Sequence, residues 1–169
     1  MKIFLTGYMG SGKSTVGKRL AEKLNLDFID FDRHIEQEKG KTIAEIFDAE
    51  GEEKFRLLER EHLIKLLAKD NAVISLGGGS PCFHNNMEII NKNGTSVYIE
   101  MDAEALVKRL ADSRNKRPLI RGMNEVDLKF FIETNLKKRQ SIYRQAHHTI
   151  KVDKQNSDDL AAQIIKLIS

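Results

Sequence analysis

Apolar residues along this chain fall into short unbroken runs, separated by longer stretches in which they recur every three or four positions. The runs are KIFLT (2–6), DFID (27–30), NAVISL (71–76), TSVYIEM (95–101) and HTIKV (148–152). Each is short and leans towards β-forming side chains. The first stops at Gly7 and the third at three consecutive glycines, so all five read as strands. Between the first two, KSTVGKRLAEKL (13–24) carries Val16, Leu20, Ala21 and Leu24 at helical spacing. Thr42 and Glu45 match a capping box, and a charged helix is expected over 52–69 with Leu58, Leu63, Leu66 and Leu67 on its apolar side. Asp102 should cap a helix over 103–111, residues 125–146 read as a long helix, and Ser157 should cap a last one over 158–168. The stretch DSRNKRPLIRGMN (112–124) has no periodicity and carries four basic residues. It reads as a loop whose length points to function.

Strands thus alternate with helices from end to end, and the strands are continuous apolar runs rather than in-out alternations. Both features predict an α/β domain whose parallel sheet is covered by helices on both faces. No repeat, linker or low-complexity tract divides the 169 residues, so one domain over 1–169 is expected. In such sheets ligands bind beyond the C-terminal ends of the strands. Gly7, Asp30 and Gly77 each follow or close a strand at that end.

Composition narrows the classes of function. With 40% hydrophobic and 31% charged residues the chain is an ordinary globular sequence. No apolar stretch approaches the ~20 residues of a membrane span. The apolar run near the N-terminus is too short for a signal-peptide core. Cys82 is the sole cysteine, which excludes an intrachain disulfide and a cysteine-based zinc site and agrees with a cytoplasmic location. A net charge of +3 does not suggest nucleic acid and suits a small anionic substrate. The five histidines show no metal-ligand spacing with cysteine or with each other and are assigned no role.

GYMGSGKST (7–15) satisfies G-x-x-x-x-G-K-[ST] through Gly7, Gly12, Lys13 and Ser14. Glycines let successive backbone N–H groups curl inward around a phosphate, and the following helix adds its dipole. Lys13 can then reach the β- and γ-phosphates of ATP, and Ser14 can hold Mg²⁺. Asp30 and Asp32 stand one residue apart in FIDFDRHIE (28–36). If the second strand lies beside the first, both carboxylates face the phosphate loop. They can bind Mg²⁺ through water or orient a substrate hydroxyl, or one can cap a helix starting near Arg33. LGGGS (76–80) spends three glycines where a turn needs one, which suggests a ligand against the main chain. Arg56 sits four residues after Glu52, the pattern of a solvated helix face. Arg139 lies four residues before Tyr143 on a helix, and Arg117 precedes Pro118 in the basic loop.

In this order and spacing, GYMGSGKST, DFDRHIE, FRLLE, ISLGGGS, RPL and RQSIYR resemble the shikimate kinase family over essentially the whole chain. The resemblance implies ATP-dependent phosphorylation of the 3-hydroxyl of shikimate, on the route to chorismate and the aromatic amino acids. It implies the fold of nucleoside monophosphate kinases: a five-stranded parallel sheet, a substrate-binding helical region near 32–60 and a lid near 112–124. It also implies a monomer that binds ATP and shikimate, with neither nucleic acid nor membrane as partner.

Carried over to this chain, the resemblance places Gly10, Ser11, Gly12, Lys13, Ser14 and Thr15 around the ATP phosphates, with Mg²⁺ on Ser14 and, through water, on Asp30. Asp32 would hold and orient the attacking hydroxyl. Arg56 and Arg139 would grip the carboxylate, Gly78 and Gly79 would offer backbone N–H groups, and Arg117 would come from the lid to the phosphates. Guanidinium forks match carboxylates in a way lysine does not. Near the expected adenine contacts the sequence departs from the family: Arg109 is not followed by Thr, and VDKQNS (152–157) is short. A sugar-acid kinase of the same fold, such as a gluconate kinase, is the nearest rival, and DFD with GGG and the Arg-x-x-x-Tyr helix favours shikimate. A nucleotide switch without catalysis is the other alternative. The presence of Lys13, Ser14, Asp30, Asp32 and Arg117 speaks against it.

Overall fold

A computed structural model of the chain describes residues 1–113 and 117–169. Five strands, β1 (Lys2–Thr6), β2 (Asp27–Asp30), β3 (Ala72–Ser75), β4 (Thr95–Glu100) and β5 (His148–Lys151), form one sheet in the order β2-β3-β1-β4-β5. Every pairing is parallel. The three inner strands are buried through their centres, which is why their sequences are continuous apolar runs; the edge strands β2 and β5 are largely half-exposed.

Among the described residues, seven helices cover the sheet: α1 (Lys13–Leu24), α2 (Phe31–Lys39), α3 (Ile43–Leu66), α4 (Asn86–Asn93), α5 (Ala103–Ala111), α6 (Glu125–Tyr143) and α7 (Ser157–Ile168). Neighbours on a strand point to opposite faces. Leu5 and Val73 accordingly pack in one apolar layer with Val16, Leu106 and Ile164, while Phe4 and Ile74 pack in the other with Ile35 and Leu63. The expected parallel sheet with helices on both faces is the fold observed.

Several details differ from expectation. The helix foreseen over 52–69 starts at Ile43, with Thr42 as its N-cap and Glu45 closing the capping box from the first turn, and breaks at Gly51 (φ 81°, ψ 171°). Its buried side is Phe55, Arg56, Glu59, His62, Leu63 and Leu66, whereas Leu58 and Leu67 are only half-buried. Three ionisable side chains therefore face inward, so Arg56 does not lie on a solvated face. Asn156, rather than Ser157, caps α7, accepting from Asp159 N at 2.9 Å. Helix α6 stops at Tyr143 instead of 146. Strand β3 separates β2 from β1, so Asp30 and the phosphate loop are not on neighbouring strands. Of the lid expected near 112–124, residues 114–116 lie outside the described residues. Its second half forms a short 3₁₀ turn, Pro118–Ile120.

Candidate active site

The loop between β1 and α1 turns on glycines at positive φ, Gly7 at 144°, Gly10 at 80° and Gly12 at 90°. A Cβ on Gly7 would lie 2.7 Å from the carbonyl oxygen of Ile99, so the loop can pass β4 only without one. Gly12 starts α1 without a side-chain cap, which leaves the helix N-terminus free to meet an anion. Lys13 is buried, and its ammonium donates to the carbonyls of Gly7 (2.8 Å) and Tyr8 (2.9 Å). Burial lowers its pKa to about 8. Asp32 and Asp30 oppose the shift, and Arg117 and Arg139 add to it. Gly10, Gly12, Lys13, Ser14 and Thr15 line a cavity of about 480 Å³. Ser11 does not: its side chain is buried and its N–H donates to the Tyr8 carbonyl at 3.2 Å, closing the turn.

The Asp30–Asp32 pair is divided by the start of α2. Asp30 ends β2 and caps the helix, with Oδ1 accepting from Arg33 N at 3.3 Å. Its Oδ2 accepts from Ser14 Oγ at 2.8 Å, and Ser14 Oγ also lies 3.2 Å from Ser75 Oγ. Register explains the reach across β3. Asp30 is aligned with Ser75, and Ser75 with Leu5, so all three strands end level at the loop. Asp30 therefore both caps α2 and lines the phosphate-loop cavity.

Asp32 is already helical, so the two carboxylates do not point to the same side as residues i and i+2 of a strand do. It lines the phosphate-loop cavity and a second cavity of about 220 Å³. Burial first, then Glu59 and Asp30, push its pKa up to about 7 against the pull of Lys13.

The second cavity is walled by Arg56, Glu59 and Arg139, with Phe47 and Phe55 as its apolar side. Arg56 donates to Glu59 at 2.8 Å and Glu52 at 3.0 Å, and its guanidinium lies 4.4 Å from the Phe83 ring centroid. Glu59 also accepts from Ser80 Oγ at 2.6 Å. Burial pushes the Glu59 carboxyl up, against Arg56 beside it. The Arg139 guanidinium lies 5.7 Å from the Tyr8 ring centroid.

The three glycines after β3 are explained by the site's own side chains and the phosphate loop. A Cβ on Gly77 would lie 2.7 Å from Asp32 Oδ1, one on Gly78 2.8 Å from Met9 N, and one on Gly79 2.5 Å from the Arg56 guanidinium. Tyr143 donates to the Gly78 carbonyl and holds the strap in place.

Met9, Asp32, Gly77, Gly78 and Arg117 line both cavities, which therefore share a wall. Arg117 Nε is buried with no hydrogen-bond partner among the described residues. Apart from Ser11, every residue to which the resemblance gives a role lines one or both cavities. Glu59 was missed, and Arg109, noted only for the departure near the expected adenine contacts, was given no role. Glu59 stands one helical turn after Arg56, a spacing visible in the sequence. Arg109 donates to the Gly10 carbonyl at 3.3 Å, a contact 99 positions apart that no local pattern reveals.

A family model described as shikimate kinase matches residues 9–169. The shikimate kinase of Azobacteroides pseudotrichonymphae is 45% identical over 168 residues, covering 99% of each chain. Among solved structures, the shikimate kinase of Bacteroides thetaiotaomicron superposes with a TM-score of 0.93 at 40% identity, over 99% of this chain and 98% of that one. The shikimate kinase of Acinetobacter baumannii in complex with shikimate superposes with a TM-score of 0.92 at 38% identity, over 99% and 92%. With matches of this extent laid over a phosphate loop and an arginine-walled cavity on one shared wall, the chain belongs to the shikimate kinase family.

Proposed function

We propose that the two joined cavities divide the family's reaction between them, ATP in the phosphate-loop cavity and shikimate in the arginine-walled one. The observation that carries this is Asp32, which lines both and stands where a phosphoryl group would pass from one to the other. Arg56 and Arg139 bind the shikimate carboxylate. Gly78 and Gly79 offer their backbone to the ring substituents. Asp32 accepts a hydrogen bond from the 3-hydroxyl and aligns its oxygen with the γ-phosphorus. Phosphoryl transfer passes through a loose transition state, so alignment matters more than early proton removal, and a carboxyl with a pKa near 7 can still take the proton as the bond forms.

Gly10 to Thr15 wrap the phosphates, Ser11 by its place in the turn rather than by its side chain. Lys13 exchanges the Gly7 and Tyr8 carbonyls for phosphate oxygens. Arg117, with an unpartnered Nε, neutralises charge on the transferred group. Ser14 and Asp30 fit Mg²⁺: they bring hard oxygen donors together at 2.8 Å without nitrogen or sulfur. Bound there, Mg²⁺ supplies charge neutralisation to the β- and γ-phosphates.

The residues given roles here all lie within one domain over 1–169, and the reaction as proposed needs no second copy, so a monomer suffices. Burial raises Cys82 to about 11, holding it as a protonated thiol of low reactivity. Among the described residues, no helix is long and apolar enough to cross a membrane.

An assay coupling ADP release to ATP and shikimate, with gluconate as the comparison acceptor, tests the reading. Shikimate-dependent release that Lys13→Met abolishes is expected. ATP binding without shikimate-dependent release would overturn it.

A further inference from the structure

Where α2 packs against α3, three side chains that the sequence left without a role come together. His34 and Glu38 lie one turn apart on α2, and His62 is fully buried on α3. Their potential ligand atoms all fall within 4.8 Å of one another. Glu38 Oε2 is 3.3 Å from His62 Nδ1, and Oε1 is 3.7 Å from His34 Nε2. Neither contact satisfies a hydrogen bond: His34 Nε2 and both nitrogens of His62 have no partner among the described residues.

A buried imidazole with both nitrogens unpartnered is costly unless something else uses them. The spacing suggests what does. Two ligands on one tetrahedral zinc at about 2.0–2.1 Å stand roughly 3.3 Å apart. The carboxylate therefore sits at co-ligand distance from one histidine and near it from the other. The set as a whole spans up to 4.8 Å, so side-chain rotation must close a gap of at most about 1.5 Å.

We propose that His34, Glu38 and His62 form a zinc site that ties α2 to α3, separate from the Mg²⁺ of the nucleotide. Two imidazoles and one carboxylate select a borderline transition metal over Mg²⁺ or Ca²⁺. Lys65, 3.7 Å from Glu38, competes for the carboxylate. It is half-exposed and already holds Glu61 at 3.0 Å, so it can withdraw to that partner. The ion would brace the two helices that carry Asp32 and Arg56.

The test uses the tag-free full chain, stripped with a chelator and titrated with ZnCl₂ by calorimetry. One tight equivalent is expected, with affinity reduced at least about tenfold in both His34→Ala and Glu38→Gln. These two side chains are partly exposed, so the variants should fold where a change at His62 would disturb the core. Co²⁺ in place of zinc should give the visible absorption of a four-coordinate site in the wild type and lose it in the variants. Absence of a tight zinc equivalent, or unchanged zinc affinity in either variant, overturns the proposal.

Discussion

Asp32 Oδ1 lies 2.7 Å from where a Cβ on Gly77 would stand, so the first glycine after β3 makes room for a carboxylate of the site. Glu59 Oε1 lies 3.1 Å from the same point. Gly77→Ala must therefore push against two acidic groups at once. We expect kcat to fall at least about tenfold, equivalent to a loss of only ~1.4 kcal/mol of transition-state stabilisation, while ATP affinity stays within about twofold. Steady-state kinetics with separate nucleotide titration checks this; an unchanged kcat would mean that Asp32 tolerates displacement.

Asp32→Asn should separate catalysis from stability. Turnover should fall about 10²–10⁴-fold, the range for removing a positioned acid–base group, with ATP binding nearly intact. Stability should move the other way. The folded pKa of Asp32, about 7, is above its ordinary 3.8, so the folded state holds the proton more tightly than the unfolded one. Its contribution is most favourable below pH 4 and is lost as pH rises through 7. The Asn variant should therefore gain Tm relative to the wild type between pH 5 and 7.5 without substrates, and level off above. Lys13, depressed to about 8, makes the opposite contribution, which is lost as pH falls through 8. A Tm difference independent of pH would contradict the raised pKa of Asp32.

Arg139→Ala should raise the KM for shikimate about 10–100-fold, as expected for losing a charge-assisted hydrogen bond of roughly 1.5–3 kcal/mol, and leave the KM for ATP within about threefold. Equal losses for both substrates would remove Arg139 from the carboxylate site. Arg117→Ala, by contrast, should act chiefly on kcat, by about 10²–10³-fold, because Arg117 lines both cavities.

Gly51 breaks α3 at φ 81° and ψ 171°, a conformation essentially restricted to glycine, and no atom lies within 4 Å of a Cβ placed there. The cost of Gly51→Ala is thus backbone strain rather than a clash. Chemical denaturation should show a loss of about 1–3 kcal/mol. Gly40, equally open but in the ordinary left-handed region at φ 62° and ψ 23°, should cost less when changed to Ala. Equal costs at the two positions would refute the distinction.

Much of this was legible along the chain because it is local. Strand runs, the phosphate-loop spacing and the Thr42–Glu45 box are set by residues close in sequence, and backbone sterics and hydrogen bonding act at that range. The order of residues therefore determined the five strands, the helix after Gly12 and the chemistry available at Lys13 and Ser14. Even the split of the Asp30–Asp32 pair follows from where a helix starts. Boundaries shifted where packing competed with local preference, as at the end of α6 and the cap of α7.

Contacts between distant segments were decided by tertiary structure. Insertion of β3 between β1 and β2 aligned Asp30, Ser75 and the phosphate loop. Burial of one face of α3 turned Arg56 and Glu59 from surface charges into a wall of the second cavity and brought His62 against Glu38. Charges along an amphipathic helix look alike in sequence. Their fate depends on which face a neighbouring element covers and on the desolvation that follows, and only the folded chain contains that information.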